Sequence, residues 1–86
     1  MDNPNEARLH SIIDALTELT KDSTVPRNIK TKVESVVRCL SEDSDLSIRV
    51  NKALSELDEI SDDSNLQAYT RTQIWNITSM LEMIQV

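Results

Sequence analysis

Apolar residues recur along this chain at fixed distances from four aspartates, Asp2, Asp22, Asp43 and Asp63. Seven residues after each stand Leu9, Ile29, Val50 and Thr70; eleven after, Ile13, Val33, Leu54 and Ile74. Fourteen after come Leu16, Val36, Leu57 and Ile77, and seventeen after, Leu19, Cys39, Ile60 and Met80. Steps of four, three and three hold one apolar face on a helix of about 3.6 residues per turn, and the alternation that marks a strand is absent. The pattern predicts an all-α chain of four amphipathic helices, with 1–86 forming a single four-helix domain.

Between the units lie related polar phrases, KDSTV at 21–25, EDSDL at 42–46 and DDSNL at 62–66. The chain has no glycine. Helices therefore lack the left-handed Gly stop, and these Asp/Ser/Asn/Thr clusters have to end one helix and cap the next. Thr24, Asp45 and Asn65 are the expected N-caps, with Ser47 and Thr70 as competitors. At the first helix Asn3 offers a cap, Pro4 a first turn where its missing N–H costs nothing, and Glu6 the partner of a capping box. Pro26 likewise sits at an opening turn. Joints this short force consecutive helices to run antiparallel, which leaves two packings. One is a closed up-and-down four-helix bundle. The other is a pair of HEAT-like helical hairpins, since DSDLSIRVNKALSELDEI at 43–60 resembles the second helix of a HEAT repeat. Closure is expected, because two hairpins are fewer than the roughly three units a solenoid needs.

Residues that break the register carry more functional information than those that keep it. Twelve positions after the aspartates, three units are polar with Asp14, Glu34 and Ser55, and the fourth has Trp75. Trp leads the residue types that anchor protein interfaces, so helix 4, through Tyr69, Arg71, Trp75 and Asn76, is the expected contact surface for a protein partner. The competing reading has Trp75 completing the core with its N–H at the rim. Helix 4 also outruns its unit with Leu81, Met83, Ile84 and Val86, and Ile74, Ile77, Leu81 and Ile84 form a seam longer than three neighbours should cover. A homo-oligomer joined through helix 4 follows as an expectation.

Charge narrows the choice of partner. Fifteen acidic against nine basic residues give a net charge of -6, the wrong sign for a general phosphate-binding surface. The balance is uneven, with Arg27, Lys30, Lys32 and Arg38 opposed only by Glu34 over 24–40, and eight acids against Arg49 and Lys52 over 42–63. Neighbouring helices that complement one another account for this most simply. The alternative is an RNA- or ribosome-associated factor using Arg27, Lys30, Lys32 and Arg38 as a basic face of helix 2, although no aromatics interleave them. The single Cys39 excludes an internal disulfide framework, no charged-then-apolar leader opens the chain, and no apolar run exceeds two residues against the roughly 20 that span a bilayer. Cytoplasmic location away from membranes is the expectation.

Catalytic chemistry has little material. Cys39 falls at a repeated apolar position, where a buried inert thiol is the ordinary outcome, and His10 falls on a polar line. Neither a Cys pair, a His pair nor a Gly-rich phosphate loop occurs, and acid clusters such as Glu42-Asp43-Asp45 and Asp58-Glu59-Asp62-Asp63 lack the glycine turn of a calcium loop. No catalytic, cofactor-binding or metal-ligating residue is expected, and the chain reads as a non-catalytic interaction or assembly module. The segments VPRNI at 25–29, LDEIS at 57–61 and TRTQIWNITSMLE at 70–82 closely resemble an archaeal group, uncharacterised protein family 0147. The resemblance covers nearly the whole chain and implies a small four-helix protein, with no activity to carry over. It also implies a proline near the start of the last unit, where this chain has Gln67.

Overall fold

In the computed structural model, which describes residues 4–84, four α-helices follow one another: α1 (Pro4–Lys21), α2 (Arg27–Leu40), α3 (Leu46–Ser61) and α4 (Ala68–Glu82). Helix α1 packs on α2 and α4, and α3 packs on the same two, while the diagonal pairs stay apart among the described residues. Contact between the first and last helices closes the ring and excludes stacked HEAT-like hairpins, which would leave α1 and α4 separated. The result is a rod of 40 × 19 × 19 Å, a four-helix bundle of the up-and-down kind.

The apolar register builds the core. Leu16, Val36, Leu57 and Ile77, one from each helix, are all buried, and burying each such side chain stabilises the fold by about 1.5–3 kcal/mol. The unit-by-unit equivalence breaks one turn earlier. Val33 and Ile74 enter the core as expected, but in α1 and α3 the preceding residues Ile12 and Ala53 are fully buried, and Ile13 and Leu54 turn to half-buried shoulders. At the other end Leu40 and Leu81 reach the core in α2 and α4, and Met80 is only half-buried. Alternate helices are thus rotated in opposite senses, because neighbours in an antiparallel ring meet the core from opposite directions. The seam Ile74, Ile77, Leu81, Ile84 is wholly buried inside the bundle, so it is not the surplus stripe that the sequence pattern suggested.

Two of the three joints are copies. In the first, Asp22 N–H donates to Leu19 O, Val25 N–H to Asp22 O, and Thr24 N–H to Asp22 Oδ1 at 2.9 Å. In the third, Asp63 N–H donates to Ile60 O, Leu66 N–H to Asp63 O, and Asn65 N–H to Asp63 Oδ1 at 2.8 Å. Val25 and Leu66 tuck into the core below them. Thr24 and Asn65 are therefore turn residues, and the N-caps are Pro26 and Gln67, neither with a side-chain cap. The middle joint differs. There Asp45, the expected cap, takes the Ser47 N–H at 2.9 Å and the Ser47 hydroxyl at 2.8 Å. The Asn3 cap lies outside the described residues.

No described residue has a positive φ, so the helix ends close without a left-handed turn. Arginines supply the missing donors. Arg49 Nη1 donates to Leu40 O at the end of α2 (2.9 Å), Arg71 Nε and Nη2 donate to Ser61 O and Asp63 O at the end of α3 (both 3.1 Å), and Arg8 Nη1 donates to Met83 O at the end of α4 (3.1 Å). Each places a positive charge at the negative pole of a helix. At the end of α1 the residue in the register of Arg71 is Lys30, whose charge helps to lower the Asp22 carboxyl.

Three outcomes follow. Gln67→Pro should raise stability by about 0.4–1 kcal/mol in urea unfolding, because Gln67 already has φ -68, beside -58 at Pro26, and proline there restricts only the unfolded chain. Arg71→Ala should cost about 1.5–3 kcal/mol by the same measurement, and Arg71→Lys should recover only part, since an ammonium lacks the fork that reaches two carbonyls. The bonds from Thr24 hold the Asp22 carboxyl below its usual range, and those from Ser47 do the same for Asp45. A depressed carboxylate stabilises the fold above its unfolded value, about 3.9, and that stability is lost as pH falls through the folded value. Thermal midpoints should therefore drop below about pH 4, and less steeply in Asp45→Ala.

Candidate functional site

Helix α4 is apolar where it meets the ring and carries its unusual residues on the outside. The line Asp14, Glu34, Ser55, Trp75 faces solvent on all four helices, and Trp75 is 58% exposed. It does not complete the core. Tyr69 is 69% exposed and Asn76 is exposed, whereas Arg71 is half-buried and turned toward the carbonyls at the end of α3. These four residues do not make one patch. Six residues separate Tyr69 from Trp75, which sets them about 120° apart around the helix and roughly 9 Å along it.

Neighbouring helices identify the two flanks. Arg71 bonds to the end of α3, and Trp75 stands one turn further along the same side of α4. Tyr69 lies on the α1 side, where it accepts a 3.4 Å hydrogen bond from Gln73 Nε2 and lines a shallow hollow with Gln73, Glu18, Leu19, Lys21 and Asp22. Asn76 is exposed and stands about 20° around the helix from Tyr69, two turns further on. The remaining large exposed apolar residues, Ile48 at the start of α3 and Met83 beyond α4, sit toward the opposite end of the rod.

The bases of α2 are spread around the helix. Arg27 and Arg38 point outward, Lys32 lines a depression with Ser35 and the α3 residues Glu56 and Glu59, and Lys30 acts on Asp22 on the α1 side. Lys30 and Lys32 stand about 160° apart on the helix, so no single face holds all four. Cys39 is buried toward α3 with its thiol 3.7 Å from Arg49 O, and burial pushes its pKa up. His10 is exposed on α1, the helix diagonally opposite α3. Among the described residues no three His, Cys, Asp or Glu side chains converge on a point, and no helix is long and apolar enough to cross a membrane.

Comparison with known proteins gives the same architecture and extends it to relatives. The model of the Uncharacterised protein family (UPF0147) matches residues 1–84. A UPF0147 protein of Methanosarcina mazei is 39% identical over 85 residues, covering 98% of this chain and 91% of the relative. One from Sulfurisphaera tokodaii is 41% identical over 83 residues, covering 94% and 92%. Among solved structures, the crystal structure of the unknown-function protein MMP1188 superimposes with a TM-score of 0.90 at 40% identity, covering 98% of this chain and 96% of that one. With the family model matched almost end to end and archaeal relatives similar over nearly their full lengths, this chain belongs to the Uncharacterised protein family (UPF0147).

Proposed function

We propose that this chain is a small, non-catalytic interaction or assembly module of the archaeal cytoplasm that docks another protein through α4, with Trp75 as the anchor. The observation behind this reading is the exposure of Trp75, 58%, on a line that is polar in the other three helices. A large indole in water forgoes the stabilisation its burial would bring, and interfaces concentrate their binding energy on such residues. Tyr69 and Asn76 border the same outer surface, and Arg71 acts as a positioning residue that fixes α4 against α3. A second copy of the chain is the other candidate occupant of this surface. The RNA- or ribosome-associated alternative has less behind it, because Arg27, Lys30, Lys32 and Arg38 diverge and the net charge is -6.

Photo-crosslinking in cells tests the proposal. Trp75→benzoylphenylalanine should give a discrete adduct with one protein, while the same probe at Ser55, the exposed position of matching register on α3, gives none. With that protein in hand, Trp75→Ala should weaken binding by about 30-fold, the scale of a hot-spot truncation of roughly 2 kcal/mol. An adduct of twice the chain mass would make the partner a second copy. Equal labelling from both positions, or binding indifferent to Trp75→Ala, would remove Trp75 from the interface.

A further inference from the structure

We propose that the hollow between the end of α1 and the start of α4 is a second docking point that takes one cationic side chain, an arginine or a lysine, from a protein partner. It rests on the preceding reading only in assigning the cation to a protein. The hollow has a volume of about 270 Å³ and is lined by Glu18, Leu19, Lys21, Asp22, Tyr69 and Gln73. Small-molecule pockets run to roughly 300–1,000 Å³, so this space suits a single side chain better than a metabolite.

Its lining combines two carboxylates and an amide oxygen with one ammonium, that of Lys21. Gln73 turns its Nε2 to Tyr69 Oη, leaving Oε1 buried with no hydrogen-bond partner. Asp22 commits Oδ1 to Thr24, and those bonds keep it ionised, while Glu18 holds an exposed carboxylate at the rim. An unpaired buried acceptor is costly, and a charged donor recovers most in such a place. Tyr69, 69% exposed, offers a ring against which a cation can lie, and Leu19, buried, gives an apolar wall for an aliphatic stem. Lys21 lines the hollow and is exposed, and Lys30 acts on Asp22 from α2.

The helix ends add a second reason. Arginine reaches the C-termini of α2, α3 and α4 within the molecule, but among the described residues none reaches that of α1, beside this hollow. The negative pole of α1 has lysines instead, Lys21 in its own last turn and Lys30 acting on Asp22, so this end receives no guanidinium from within the described residues. Arginine fits better than lysine, because its planar fork matches a carboxylate with two parallel bonds. Since Tyr69 and Trp75 flank the outer surface of α4, a basic partner lying across that helix would reach both.

The test is a ¹H–¹⁵N NMR titration of the intact protein with N-acetylarginine amide, N-acetyllysine amide and N-acetylglutamate amide. The arginine probe should shift the Gln73 side-chain amide and the backbone of Asp22 and Tyr69 saturably, the lysine probe less, and the glutamate probe not at all. A Glu18→Gln/Gln73→Leu double variant with an unchanged far-UV spectrum should weaken the arginine probe at least about tenfold, and Lys21→Ala should tighten it. Trp75→Ala should leave the probe binding as it was, so that loss of the Trp75 adduct with retained arginine binding counts against the α4 reading and for the cation site. Absence of saturable shifts, equal shifts from the glutamate probe, or binding that survives the double variant would overturn the inference.

Discussion

The structure depends on four apolar stripes having only one another to face. None of the helices, at 14 to 18 residues, is long enough to be secure alone in water, so each is held by the stripe it buries. Leu16, Val36, Leu57 and Ile77 meet at the centre, and ring closure between α1 and α4 covers what a row of hairpins would leave wet. The interior is occupied by side chains, so the surfaces proposed for docking lie on the outside.

Absence of glycine sets the second constraint. Helix ends leave carbonyls without partners, and here guanidinium groups reach back from the next helix around the ring to meet them. This ties the polar bonding to the same closed order as the core: α3 reaches α2, α4 reaches α3, and α1 reaches α4. Arg71 illustrates how a residue conspicuous in the sequence serves the scaffold, since two of its nitrogens are committed to backbone oxygens. Trp75, one turn away, has no such employment inside the bundle.

Much of the fold was legible in the chain, for physical reasons that also explain what was not. Helical period shows in which residues are apolar, so four helices and their antiparallel order could be read directly, whereas the letters left open whether Trp75 lay outside or in the core, which the placing of α4 in the ring decides. Which of Ile12 and Ile13, or of Ala53 and Leu54, goes inward depends on a rotation of less than one residue's spacing, and that is fixed by neighbours. EDSDL carries two aspartates able to make the same turn, and the chain uses Asp45 in place of Asp43. Backbone carbonyls leave no mark in the letters, so the partners of Arg8, Arg49 and Arg71 were invisible, although a glycine-free chain with arginines six or eight residues after three of the four aspartates held the hint. The hollow at Tyr69 joins α1 to α4, and periodicity within one helix says nothing of such a pairing.

The Arg8–Met83 bond brings the beginning of α1 beside the end of α4, and copied joints make each helical hairpin a similar unit. Chain order is therefore nearly incidental to this ring. A circularly permuted version, with a linker from the end of α4 to the start of α1 and new termini at the dissimilar EDSDL joint, keeps every buried layer and both copied joints, which makes the bundle a scaffold whose point of entry can be moved without altering what it displays.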